Sequence, residues 1–297
     1  MDFDNANDGR SRLAQELLDS ILDHLHNDLG SLKRSALASK SLLPTCQRHL
    51  FSTFKITESN KDKVSKLFAL PPSTNEHDKD ASLPARLEGM LNAYTTDLIL
   101  ENLPEIVSGT IRWETHLPEF KNVKRIIFKG INFEKAAVIP SFLERTCFSP
   151  SSRLQSVEFD FRQTYEKAIL ESFCLLPPTV EDIAFTSIRG TYGGSDWDAA
   201  SVRNDTRHRL LRMHGRRPGV RHFNGTLKLR LGPSHSHRWF LSTMLELDDQ
   251  FKFRLKHINY ALNDRASIRH FAPLVDECKD TLQSLDILVS VPGAHKV

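Results

Sequence analysis

Any chemistry in this chain has to come from a few residue groups. The densest is RNDTRHRLLRMHGRRPGVRH, residues 203–222. It carries Arg203, Arg207, Arg209, Arg212, Arg216, Arg217 and Arg221 against one acid, Asp205. Guanidinium forks hold carboxylates and phosphates through two parallel hydrogen bonds. The run therefore reads as a docking surface for an acidic or phosphorylated target, or equally as a solvated insertion loop, the common fate of charge runs. Trp197 is the one aromatic after Tyr192 and before His222, so a stacking platform for RNA is missing. His24 and His26 are two apart on a helical pattern and point in different directions. His235 and His237 form an HxH pair, but no cysteine or carboxylate lies at ligand spacing. The DWD at 196–198 is a divalent-ion motif of very low specificity. Cys46, near His49 on a helical pattern, reads as a small core group. No GxSxG elbow, GxxxxGK[ST] loop or GxGxxG turn occurs. A catalytic residue, metal ligand or cofactor is not expected, and an enzyme is the weaker hypothesis.

Composition reads as that of an ordinary soluble intracellular protein. The 297 residues carry 40 Lys and Arg against 37 Asp and Glu, so the net charge is +3, too small to imply nucleic acid or membrane by itself. Hydrophobic residues at 39% are enough for a sizeable core. Four scattered cysteines without a CxxC pair suit a reducing compartment, and the acidic start MDFDNANDGR is no secretory signal. No apolar run of about 18 residues exists. These features point to a cytoplasmic or nuclear protein.

The first elements must then position partner contacts. Residues 1–10 read as a disordered tail. Leu13, Leu17, Ile21 and Leu25, widened by Leu18 and Leu22, make an amphipathic helix that ends in the turn residues Asn27, Asp28 and Gly30. Ser31 is the expected N-cap of a second helix, Leu32 to Ser39. A third starts near Ser41, with Pro44 in its first turn and a stripe of Leu43, Cys46, Gln47, Leu50, Phe51 and Phe54. Three short helices cannot bury all these leucines among themselves, so part of the apolar surface is expected to face a partner.

This segment resembles the F-box, most closely the F-box-like proteins of mushroom-forming fungi. Leu13, Glu16 and Leu17 match the family's opening Leu-Pro-x-Glu-Leu, and Ile21 and Leu22 its Ile-Leu. Ser39, Lys40 and Ser41 match its serine-lysine-serine, and His49, Leu50 and Phe51 its His-Leu-Phe. The family proline is Ala14 here and its tryptophan is Leu42, which puts adaptor affinity in question. The resemblance covers about 45 residues and implies docking to a Skp-family adaptor and, through it, to a cullin. Leu13, Leu17, Leu18, Ile21, Leu22, Leu32, Leu43 and Leu50 are the residues expected to form the adaptor face or its packing support.

Residues 57–83 read as a linker with a short helix around Val64, Leu67, Phe68 and Leu70. Beyond it a six-residue apolar pattern recurs: Val123, Ile126, Phe128; Leu154, Val157, Phe159; Val180, Ile183, Phe185; Leu255, Ile258, Tyr260; Leu282, Leu285, Ile287. Thr95, Leu98, Leu100 is a weaker copy, and the long gap before Leu255 leaves room for another near Val220 to Leu231. Each copy alternates like a strand with one buried face. Helical stretches are expected at 134–147, 165–175, 238–247 and 268–279. One strand and one helix per 26 to 31 residues is the period of leucine-rich repeats.

The pattern is similar to the repeat half of the same F-box-like proteins, although of the expected turn asparagines only Asn263 is present. The expected fold is α/β: an N-terminal three-helix F-box at 11–56, then an irregular leucine-rich-repeat-like α/β solenoid at 84–297 with a basic insertion at 191–219. The final VSVPGAHKV follows a strand copy directly, so the solenoid reads as short or truncated. The resemblance implies the substrate-recognition subunit of an SCF-type cullin–RING ubiquitin ligase, with an unknown protein target and neither membrane nor nucleic acid as partner. The rival reading is a non-catalytic repeat scaffold whose F-box is a vestigial N-terminal cap.

Overall fold

A computed structural model describes residues 8–60, 63–64, 82–102, 120, 122–133, 153–164, 172–173, 175–177, 179–188, 200, 204, 208, 220–229, 241, 244–246, 251–262 and 266–289. Three helices come first: α1 (Asp8–His24), α2 (Leu29–Ala38) and α3 (Leu43–Leu50). The strands are β1 (Thr53–Thr57), β2 (Asp97–Glu101), β3 (Arg125–Phe133), β4 (Ser156–Thr164), β5 (Asp182–Ile188), β6 (Arg221–Phe223), β7 (Thr226–Leu229), β8 (Phe251–Phe253), β9 (His257–Leu262) and β10 (Ser284–Val289). Helix α4 (Ser82–Tyr94) precedes β2, and α5 (Ala266–Cys278) precedes β10.

The protein is α/β, and its main sheet is parallel throughout. Eight strands lie side by side in the order β1-β2-β3-β4-β5-β7-β9-β10, while β6 and β8 pair separately. The order never doubles back. The register puts the apolar copies in rows: Phe54, Leu98, Ile126, Val157, Ile183, Leu227, Ile258 and Leu285 form one, and Ile56, Leu100, Phe128, Phe159, Phe185, Leu229, Tyr260 and Ile287 the next. From β2 to β9 these side chains are buried. Phe128, Phe159 and Phe185 stack along the second row, with centroids 5.4 and 5.1 Å apart. The gap before Leu255 does hold a further copy, carried by Leu227 and Leu229.

The rows line up because of what happens just before each strand. The backbone carbonyl of Ser52 accepts the N–H groups of both Thr96 and Asp97. Thr96 in turn accepts from Lys124 and Arg125, Lys124 from Gln155 and Ser156, and Gln155 from Glu181 and Asp182. Gly225 accepts from Lys256 and His257, and Lys256 from Gln283 and Ser284. Between β5 and β7 the approach is closest. Thr226 N–H meets the Glu181 carbonyl at 2.7 Å, and a Cβ on Gly225 would lie 1.8 Å from that oxygen. Only glycine fits there.

The helices differ from their expected bounds in several places. α1 starts at Asp8, so only residues 1–7 of the expected tail lie outside the described residues. α2 is capped by Asp28, which accepts the Ser31 N–H at 3.0 Å, and not by Ser31. α3 ends at Leu50, and Phe54 lies on β1, which pairs with β2 inside the segment read as F-box. Asn60 seals the outer edge of β1: its Oδ1 accepts the Thr57 N–H, and its Nδ2 donates to the Lys55 carbonyl. The expected 134–147 helix, Asn263, most of the 57–83 linker and residues 290–297 lie outside the described residues. Gly225→Ala should lower the unfolding free energy by about 3 kcal/mol or more, because backbone must move to admit the Cβ. Urea unfolding measures this, and an unchanged midpoint would contradict the close β5–β7 approach.

Candidate docking surface

The small helical bundle at the N-terminus buries few of its own apolar residues. Its core is Leu22, Leu32 and Cys46, with Leu25, Ala36, Leu42 and Leu50 half-buried around them. Much of the contact between α1 and α3 is polar. Buried Thr45 donates its hydroxyl to Asp19 Oδ1 at 2.6 Å, and Gln15 Nε2 reaches the same oxygen at 2.9 Å. One turn on, Asp23 Oδ1 accepts from Arg48 Nη2 at 2.8 Å and from His49 Nε2 at 2.7 Å. These bonds fix which side of α1 faces α3.

That choice leaves the opposite side bare. At about 100° per residue, Leu17 and Ile21 lie roughly 160° to 200° around the helix from Asp19. They are 62% and 58% exposed, Leu18 is 39% exposed, and Leu43 at the start of α3 is 36% exposed. Leu22 and Leu32 are buried and Leu50 is half-buried, whereas Leu17, Leu18, Ile21 and Leu43 are exposed. Leu13 lies on α1, and its side chain is outside the described residues. Two exposed leucines escaped the sequence reading: Leu29 at 53% and Leu37 at 89%. They sit eight residues apart on one face of α2. Their spacing was readable, but starting the helix at Leu32 placed Leu29 in the preceding turn.

Other expected sites fare differently. Arg203, Arg207, Arg209, Arg212, Arg216 and Arg217 lie outside the described residues. Arg221 opens β6, with its side chain also outside them. The same holds for His235, His237 and the DWD segment. His24 Nδ1 lies against the Ser20 carbonyl and His26, past the end of α1, against the Asp23 carbonyl. Burial pushes the Cys46 and Cys278 thiols up, away from the reactive thiolate. Among the described residues no three His, Cys, Asp or Glu side chains group as a metal site.

The open face of the sheet is charged but internally paired at its first half. Glu101 on β2 is held between Lys55 on β1 and Lys129 on β3, which keeps its carboxyl below the usual range, and Arg125 bridges to Glu158 at 2.9 Å. Compared with known proteins, the sequence matches no family model and no curated relative. Among the described residues no helix is long and apolar enough to cross a membrane.

Hydrogen bonding from His49, then the charge and hydrogen bonding of Arg48, holds the Asp23 carboxyl below its ordinary 3.8. A carboxylate lowered by folding contributes stability above its unfolded value and loses it as the pH falls through the folded one. Asp23→Asn should therefore melt at a lower temperature than the native chain near pH 7. That gap should close as the pH drops below 3.8, followed by thermal circular dichroism at a series of pH values. A gap that persists in acid would mean the α1–α3 seam draws nothing from this charge.

Proposed function

We propose that the chain is the substrate-recognition subunit of an SCF-type cullin–RING ubiquitin ligase. In this reading α1–α3 form an F-box that binds a Skp-family adaptor, and the parallel sheet is a leucine-rich-repeat-like solenoid that holds the target. The observation that carries it is the bare apolar side of the bundle: Leu17, Leu18, Ile21 and Leu43 face solvent while the bundle's own core needs only Leu22, Leu32 and Cys46. Helix faces of this kind dock into apolar grooves, with charged residues at the rim. The chain performs no bond chemistry. It tethers a target near the charged conjugating enzyme and raises the local concentration of the reacting groups. The setting is cytoplasmic or nuclear, where adaptor and cullin operate.

A second reading has an observation of its own. α3 runs into β1 after two residues, Phe51 packs on the sheet core, and Thr95 Oγ1 donates to the Phe51 carbonyl at 3.1 Å. The bundle thus closes the β1 end of the sheet, as a vestigial cap would. Closing uses the end of α3, whereas docking uses the far side of α1, so the two roles are compatible. Leu42, at the family's tryptophan position, packs on the bundle core and is half-buried, which keeps the helices together without the larger ring.

Co-purification with a Skp-family adaptor separates the readings. Leu17→Asp places a charge at an anchor without touching the core, so it should fold normally and weaken adaptor binding by several kcal/mol, on the order of 100-fold or more. A native chain that folds and captures no adaptor would leave the repeat scaffold with its cap.

A further inference from the structure

The small β6–β8 sheet carries a second surface that the adaptor reading leaves unused. Phe223 and Phe253 point inward and cluster with Phe173, at centroid distances of 4.7 Å and 5.8 Å from it. The alternation then turns His222, Lys252 and Arg254 outward, all exposed, with His222 opposite Lys252 in the register. A cleft of about 420 Å³ opens here, lined by Leu245, Lys252, Phe253, Arg254 and Glu277.

The charge on this cleft differs in kind from that on the open face of the sheet. There Lys55 and Lys129 are both engaged by Glu101, and Arg125 by Glu158. Lys252 and Arg254 have no ion pair with any described residue. Among the described residues the one acid lining the cleft, Glu277 on α5, is turned to the backbone: its Oε1 accepts the Phe253 N–H at 3.0 Å. That bond also occupies a backbone donor of β8, so a ligand running along this strand is read through side chains. Lys252 on β8 and Arg254, one residue past its end, are two positions apart, roughly 6.6 Å where the chain is extended.

We infer that the cleft between β8 and α5 binds an acidic, extended segment of a protein partner, with carboxylates at alternate positions facing Lys252 and Arg254. Half-buried Leu245 supplies an apolar contact for the residue between them. The inference names the chemistry of the target within the reading above and rests on it for the partner's role, but the binding itself stands alone.

The test uses the full chain and a fluorescein-labelled Glu-Ser-Glu-Ser-Glu-Ser peptide, followed by anisotropy. Binding should be saturable and weaken as salt is raised. The pair Lys252→Glu and Arg254→Glu should weaken it about tenfold or more, with an unchanged melting temperature. The pair Lys124→Glu and Arg153→Glu, an equal charge change at exposed turn positions, should weaken it by roughly twofold at most. Should the first pair fail to fold, Lys252→Gln with Arg254→Gln takes its place. Equal losses in both pairs, no saturable binding, or tighter binding of a single-stranded RNA of matched charge would each overturn the inference. Adaptor co-purification with the same proteins keeps the readings apart. Peptide binding without adaptor capture sinks the ligase reading and leaves the cleft, whereas adaptor capture without peptide binding does the reverse.

Discussion

The fold depends on a repeated backbone contact: at every step of the main sheet except β5 to β7, one carbonyl before a strand receives two N–H groups from the start of the next, and at β5 to β7 the Glu181 carbonyl receives one. A carbonyl oxygen has two lone pairs, so the paired arrangement satisfies it fully and fixes both the height and the tilt of the incoming strand. With every strand starting at the same level, the apolar residues at the second and fourth positions fall into rows and aromatic rings meet face to face. The connections outside this contact can then vary in length. The interval between Val180 and Leu255 is far longer than the others, yet β5, β7 and β9 remain in register. Gly225 sits at a very close backbone approach. There the contact brings two backbones so near that no side chain fits, and the glycine is a consequence of the ladder, not of a flexible loop.

A parallel sheet with sequential order has two ends, and they are treated differently. The β1 end is closed by the Asn60 amide, which acts as one more peptide group on the strand edge, and by the junction with α3. At the other end Leu285 and Ile287, equivalent by register to fully buried residues elsewhere, are 39% and 45% exposed. The bulge at Gly130, where φ is 61°, interrupts neither row because it falls past the second apolar position of β3.

Much of this was legible because the strand signal is strong where strands are long and half-buried. Period-two alternation identified β3, β4, β5 and β9 by their core residues and β10 by Leu285 and Ile287, which are exposed, and the gap in the spacing pointed to β7. It failed at β1 for a physical reason. Phe51 and Phe54 are three apart, so they extend a helical stripe as naturally as they begin a strand, and only pairing with β2 decides between them. β6 and β8 are three residues each, too short for any periodicity, and the cleft they build was invisible for that reason. Asp28 was taken for a turn residue because the same short polar side chain serves both ends of a helix. On the candidate site, the sequence identified most of the apolar residues of the bundle, though not Leu29 or Leu37, and not their division. The burial of Leu22 and the polar bonds of Asp19 and Asp23 show which side of α1 faces inward.

That division bears on why a bundle so poor in core would persist. Burying a leucine contributes roughly 1.5–3 kcal/mol, yet α1 turns Leu17 and Ile21 outward and commits Asp19 and Asp23 to α3. Exposed ion pairs such as Arg48–Asp23 contribute little to stability. A helix selected for the bundle's stability alone would have turned its leucines inward. The observed arrangement bonds Asp19 and Asp23 to α3 and leaves Leu17 and Ile21 exposed. Such a surface gains its free energy only when something covers it. Orientation fixed before contact also limits the entropy lost on binding. In the proposed function, this apolar ridge, joined through α3 to the first strand of the sheet, is the surface that an adaptor would cover.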